Sequence, residues 1–306
     1  MFARCCAESM LRNHNPDDDE DDDDEGDPDT VFSVPGLPHR VELRRSQMMR
    51  RPDQLAFVKG IYATDQKSYG ELVNSFHKLE PDYVEHYRTT LRRRAWLVGP
   101  VALASGSKDE ASRGHRRALA GRRWLHPLAR RQAGWIGGVR RLRHTIQLLA
   151  GAAPGARTGP RPLRQELRVL ILNHPAVGCF LTQCGSNSTL EAVSAGVPMV
   201  TWPRHADQFF NEKLVVHVLQ VGVSVGAKDY GSSAETHRVI AAEVIAGAVR
   251  TLMEVQGDAM RSRASDLDIK GVNCTEVSQF EHHMQIGTTI ANFCVSVPTF
   301  VQIFVN

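Results

Sequence analysis

Six residues between positions 185 and 208 have types and spacings suited to holding an anion beside a polyhydroxylated ligand. Gly185 closes an apolar run and frees a turn, and Asn187 and Ser188 follow where a helix is expected to begin. Ser188 is a natural cap, and the N–H groups beyond it, aided by the helix dipole, form an anion site. Glu191 lies about one turn further on, where a carboxylate accepts paired hydroxyls such as those of a ribose. Asp207 and Gln208 open the next expected helix, and their acceptors and amide suit sugar hydroxyls. Spacing alone leaves ordinary helix capping equally open, because Ser188 and Asp207 are common caps in any α/β protein.

The elements that must position these residues are legible nearby. The run VGCFLTQ has the texture of a buried strand, and NSTLEAVSAG that of a helix. VPMVTWP is a second strand, ADQFFNEKLVVHVLQVG a second helix, and VGVSVGA a third strand. ETHRVIAAEVIAGAVRTLMEV predicts a long amphipathic helix. Strands and helices alternating at this spacing predict a parallel α/β sheet with right-handed crossovers. Val177 to Thr182, Met199 to Trp202 and Val221 to Val225 are its expected strands.

Five segments are expected along the 306 residues. Residues 1–30 carry the unbroken acidic run Asp17 to Glu25 and are expected to be disordered. Residues 31–112 read as globular: a short extended piece at VFSVPGLP, a strand at Gly70 to Phe76, a helix near Pro81 to Leu91 and a strand in AWLVGPVAL. Residues 169–270 hold the alternating strands and helices, and 271–306 form an unrelated tail. Gln285 to Val305 is uncharged and of membrane-spanning length, but Pro298 and its Thr, Asn and Gln content argue against a span. The six cysteines show no C-x-x-C pair, and His282–His283 has no further ligands beside it. The expectation is a reduced, cytoplasmic protein without a metal.

Residues 113–168 break the pattern, with fourteen Arg, no Lys and a single acid, Glu166. A nucleic-acid surface would show the arginines on one face, usually mixed with Lys; here they follow no period. Arg with Ala, Gly, Pro and Leu is what GC-rich coding DNA yields out of frame. Shifting a permitted back-translation by one nucleotide gives CIRWLDAKPAGSVAYVAFGT and SPAQLRELARGLDLSGKNF, a strand into a Gly turn and then an amphipathic helix. The segment therefore reads as a frameshifted translation that binds no nucleic acid, is mostly exposed and supplies no inner strand.

The stretch NHPAVGCFLTQCGSNSTLEAVSAGVPMVTWPRHADQ, within Val169 to Gln208, resembles the signature box of plant family-1 UDP-glycosyltransferases. GLPHRVELRRSQM, NSFHKLEPDYVEHYR and AWLVGP resemble the later N-terminal domain of the flavonoid and terpenoid branch of that family. The resemblance implies an incomplete GT-B fold of two Rossmann-like domains, with UDP-sugar in the C-terminal one. It implies that Asn187 and Ser188 meet the phosphates, Glu191 the ribose, and Asp207 with Gln208 the sugar hydroxyls. Gln183, Gly185 and Ser186 complete the expected donor site.

The chain departs from that pattern at three places. Gln165 to Arg168 replace the Trp-Ala-Pro-Gln whose indole stacks on uracil, a loss of about 1–3 kcal/mol by analogy with base–aromatic stacking. Gln183 stands for the usual His, and Ser186 for the usual Trp. The family's general-base His and its orienting Asp are expected before the start of this chain, and His14, His39, His77 and His86 lack a matching context. No catalytic residue is assigned. The expected activity is transfer of a hexose, glucose first, from UDP-sugar to a hydroxyl of a small lipophilic plant metabolite such as a flavonoid or terpenoid. It is expected from a monomer, without cofactor or membrane anchor, and with impaired turnover. The alternative is a non-catalytic remnant that binds nucleotide weakly or binds partners.

Overall fold

A computed structural model describes residues 1–13, 27–49, 52–101, 144–145, 171–173, 177–231, 238–267 and 300–303. In chain order these residues form α1 (Phe2–Asn13), β1 (Val31–Val34), β2 (Val41–Arg44), α2 (Pro52–Asp65), β3 (Gly70–Val73), α3 (Pro81–Thr89) and β4 (Ala95–Leu97). There follow β5 (His144–Thr145), β6 (Val177–Thr182), α4 (Ser186–Ser194), β7 (Met199–Thr201), α5 (Gln208–Lys213), β8 (Gly222–Ser224), α6 (Ala242–Met253), α7 (Val255–Asp266) and β9 (Phe300–Ile303).

The sheet that carries the candidate site has the order β5-β6-β7-β8, and every neighbouring pair is parallel. The three expected strands are all present, flanked by α4, α5 and α6. The long helix expected over ETHRVIAAEVIAGAVRTLMEV is shorter than its periodicity predicts, beginning at Ala242. Gly222 is required in β8, since a Cβ there would lie 2.6 Å from Val215 Cγ1 and 2.7 Å from the Met199 carbonyl. That close approach seats the π-helical turn Leu214–Val218, which continues α5, against the sheet. From the Arg-rich segment, the described residues supply the two-residue edge strand β5 and no inner strand; its fourteen arginines lie outside the described residues, as do Gln165 to Arg168.

The described residues form two further sheets: the antiparallel hairpin β1-β2, and β4-β3-β9, in which β3 runs parallel to β4 and antiparallel to β9. The last of these draws on the segment expected as an unrelated tail, 271–306, whose Phe300–Ile303 pairs with Gly70–Val73. An edge strand needs only backbone hydrogen bonds and an alternating apolar face, which leave little trace in periodicity. His282 and His283 lie outside the described residues.

A correction concerns residues 1–30, expected to be disordered. Phe2 to Asn13 form a helix whose Phe2, Cys5, Cys6 and Met10 are buried. Those positions recur at helical spacing and make a narrow stripe, which the neighbouring acidic run outweighs in any average over the segment. The Phe2 ring meets Tyr83 edge-on, with centroids 4.6 Å apart. The acidic run itself lies outside the described residues.

Among the described residues, two clusters of buried apolar side chains form the core, and each draws on both sides of the Arg-rich segment. One joins α1, the hairpin, β3 and α3 to Phe209, Leu214 and Val225; the other joins Phe76 and Leu79 to Phe180, Leu190 and Met199. Hydrophobic burial thus welds the regions expected as 31–112 and 169–270 together.

Candidate functional site

β6 delivers the chain to the carboxyl end of the parallel sheet, where ligand sites of α/β folds form. Gln183 is exposed there, and Cys184 is fully buried in the left-handed region at φ 61°. Gly185, expected to free the turn, has ordinary extended angles (φ −62°, ψ 141°) and caps α4. The unusual backbone thus falls one residue earlier, on Cys184, where a non-glycine residue persists only when its surroundings hold it. Its N–H donates to Thr182 Oγ1 at 3.1 Å, and its carbonyl accepts from Asn211 Nδ2 at 2.8 Å. Burial pushes the Cys184 thiol well above its usual titration range.

Helix α4 begins at Ser186, ahead of the expected start at Asn187 and Ser188, so Ser188 lies inside the first turn and is not the cap. The first helical hydrogen bond runs from the Thr189 N–H to the Gly185 carbonyl at 3.0 Å. A helix leaves its first N–H groups without intrahelical partners, and here they gather at the sheet's carboxyl edge. Asn187 is exposed on that turn, and its Oδ1 accepts from Asn74 Nδ2 at 3.1 Å. Glu191 is buried on α4.

At α5, Asp207 occupies the cap position with near-helical angles (φ −79°, ψ 0°) and makes no side-chain cap bond, so the ordinary capping that its spacing left open is not what its carboxylate does. Its Oδ2 instead accepts from Ser186 Oγ and, at 2.9 Å, from Asn211 Nδ2. Gln208 is buried, and its Oε1 accepts from the N–H groups of Arg204 at 2.9 Å and His205 at 3.2 Å, which orders the approach to α5. Of the expected residues, Ser186 and Asp207 are therefore in direct contact. Asn187 reaches the other wall of the cleft, and Glu191 and Gln208 are enclosed by packing.

Three polar residues were missed in the sequence reading. Asn211 and Glu212 follow Asp207 and Gln208 by four residues, the helical spacing that puts each pair on one face and could have flagged them. Glu212 is buried, with Oε1 accepting from Thr201 Oγ1 at 2.7 Å and Ser224 Oγ at 2.8 Å, and burial raises its carboxyl above the usual range despite those bonds. Asn74 carries no local signal, because its partner is 113 positions away. Asn74, Ser75, Glu80, Ser186, Thr189 and Asn211 line a narrow cleft between the end of β3 and helices α4 and α5. Glu80 is held there by the hydroxyl of Ser75 and by the Phe2 N–H at 2.6 Å.

Among the described residues, no three His, Cys, Asp or Glu side chains are placed to hold a metal, and no helix is long and apolar enough to cross a membrane.

The chain and its fold are similar to known proteins. The protein-family model "UDP-glucoronosyl and UDP-glucosyl transferase" matches residues 168–247. A scopoletin glucosyltransferase of Nicotiana tabacum is 35% identical over 304 residues, which cover 86% of this chain and 62% of the tobacco protein. The UDP-glucosyl transferase 73CC6 of Saponaria officinalis is 30% identical over 331 residues, covering 92% of this chain and 67% of that protein. The chain thus spans less than two thirds of the length of the tobacco relative. Among solved structures, Glycyrrhiza uralensis UGT73P12 complexed with glycyrrhetinic acid 3-O-monoglucuronide superposes with a TM-score of 0.66 at 29% identity, over 93% of this chain and 67% of that one. A transferase from Siraitia grosvenorii in complex with UDP shares the fold, with a TM-score of 0.59 at 19% identity.

Proposed function

We propose that this chain, which belongs to the UDP-glucoronosyl and UDP-glucosyl transferase family, holds a UDP-sugar where α4 and α5 begin. Its fold is an incomplete GT-B arrangement. The observation that carries the reading is the contact between Ser186 and Asp207, which sets the start of α4 against the start of α5 at one edge of the parallel sheet.

The start of α4 supplies N–H groups and a positive dipole end for the diphosphate, with the amide of Asn187 and the hydroxyl of Ser188 beside it. Glu191 is assigned to the ribose. Asp207 and Gln208 take the hydroxyls of a hexose, glucose being the first choice because the relatives named above are glucosyltransferases. Gln183 borders the same edge. No metal or other cofactor takes part in this scheme.

The acceptor is a small lipophilic plant metabolite bearing a hydroxyl. Relatives named for a flavonoid and for soyasapogenol B glucuronide support that class. None of the described residues lining the cleft is a histidine, and we assign no general base among them. A base of that kind contributes about 10²–10⁴-fold, so transfer by this chain is expected to be slow by that order. The described cysteines Cys5, Cys6, Cys179 and Cys184 form no disulfide, in keeping with a reduced, cytoplasmic setting.

Calorimetry with UDP and UDP-glucose, followed by a transfer assay with flavonoid and triterpenoid acceptors, tests this. Measurable UDP-glucose binding that is lost in Asp207→Ala supports the donor site, and binding unchanged in that variant sinks it. Turnover at the rate of a full-length relative would overturn the expectation of slow transfer.

A further inference from the structure

We infer that Asn211 is a positioning residue: it ties the left-handed turn at Cys184 to the start of α5 and thereby fixes the carboxylate of Asp207. The inference rests on the donor site proposed above and adds to it a residue that contacts no ligand.

Asn211 lies on α5 four residues after Asp207 and is 5% exposed. Its Nδ2 donates to the Cys184 carbonyl at 2.8 Å and to Asp207 Oδ2 at 2.9 Å, and lies 3.3 Å from Ser186 Oγ. A side-chain amide carries two N–H bonds. The two shorter contacts use both, one toward each helix start, and Ser186 closes the ring by donating its own hydroxyl to Asp207.

The consequences for the two ends differ. At Cys184 the amide holds a carbonyl in place on a backbone with φ 61°, a conformation that reverts unless its surroundings maintain it. At Asp207 both donors fall on Oδ2, which sets the plane of the carboxylate. Among the described residues nothing hydrogen-bonds to Oδ1, the oxygen left for a sugar hydroxyl. One buried amide thus links the segment assigned to the diphosphate with the residue assigned to the sugar. Such coupling through a low-dielectric network exceeds what an exposed pair provides.

The test has two readouts. In calorimetry, Asn211→Ala should weaken UDP-glucose about tenfold or more, the scale of a lost hydrogen bond to a charged group, and UDP alone by less than roughly threefold, because UDP carries no sugar for Asp207. In an Asp207→Ala background the same substitution should cost UDP-glucose almost nothing further, as expected for residues acting as one unit; additive losses would overturn the assignment. The second readout needs no ligand. Cys179 and Cys184 are both fully buried, on β6 and just after it, so peptide-mapped thiol alkylation compares the turn with its own strand. Asn211→Ala should speed labelling of Cys184 several-fold and leave Cys179 unchanged. Equal acceleration of both thiols, or of neither, refutes the positioning role. If the unsubstituted chain binds no UDP-glucose, the donor reading fails by itself, and the labelling ratio still decides whether Asn211 ties the turn.

Discussion

The side-chain amide of Asn74 donates to Asn187 Oδ1 at 3.1 Å and so joins the end of β3 to the first turn of α4. Asn74 is itself anchored, since its Oδ1 accepts from the Val101 N–H at 3.0 Å. The wall opposite the donor helix therefore orients one of the groups assigned to the phosphates. Removing the bridge with Asn74→Ala should weaken UDP binding by about two- to tenfold, the value of one net hydrogen bond. Gly99→Ala should do the same indirectly, because its Cβ would stand 2.8 Å from the Asn74 carbonyl carbon. Calorimetry with UDP checks both; unchanged affinity in both variants would show that the bridge plays no part.

Glu212 predicts a pH dependence of stability. Burial is the largest influence on its carboxyl and raises it, while bonds from Thr201 and Ser224 act the other way. A carboxyl raised in the folded state favours folding when protonated. Its contribution is full below the ordinary carboxylate range and is lost as pH rises through the raised value. Glu212→Gln keeps an acceptor for both hydroxyls without the charge, so the variant should lose less Tm than the parent between pH 5 and pH 8. Glu212→Leu, which strands both hydroxyls, should cost about 1–3 kcal/mol. Thermal melts at the two pH values measure the difference, and parallel pH profiles for Gln and parent would contradict the assignment.

Helix α1 is predicted to be part of the core. Phe2 is fully buried against Tyr83, so Phe2→Ala should destabilise by about 3–5 kcal/mol, the cost of deleting a buried aromatic ring. Urea unfolding followed by fluorescence reads this directly. A change below about 1 kcal/mol would return residues 2–13 to the solvent-exposed role expected from the sequence.

Arg4 supplies a sharper test of the same packing. Its guanidinium pairs with Asp65 and, at 2.8 Å, with Glu71, and stacks 4.2 Å from the centre of the Tyr62 ring. Glu71 also accepts from Tyr87 Oη at 2.6 Å, and all three charged groups are buried. Arg4→Met leaves two acids without their main counter-charge and should cost about 3–5 kcal/mol. The triple replacement Arg4→Met, Asp65→Leu, Glu71→Leu should recover much of that loss, because a buried ion network is no more stabilising than apolar side chains of similar volume. Equilibrium unfolding of the single and triple variants settles the comparison.

The strands and helices around the candidate site were legible because their causes are local. The continuous apolar run in VGCFLT, the small and polar residues of CGSNS and the apolar spacing of STLEAVSAG each prescribe an element within a few positions. The parallel order of β6, β7 and β8 follows from strands separated by helices. Residue types at positions 185 to 208 pointed to an anion beside a polyhydroxylated ligand but left ordinary helix capping equally open, and the assignment to a donor site came from the resemblance to a family. Tertiary structure alone decided how those residues are used. The left-handed angle falls on Cys184 and not on Gly185, because the Asn211 amide holds the Cys184 carbonyl from another helix. Ser188 and Asp207 do not cap, since α4 starts earlier and Asp207 turns to Ser186 across 21 positions. Asn74 reaches Asn187 across 113 positions, β9 pairs with β3 from the far end of the chain, and the stripe on α1 is buried by Tyr83. Periodicity and propensity act over a turn or two of backbone, whereas these contacts form only once burial of the shared core has brought distant segments together.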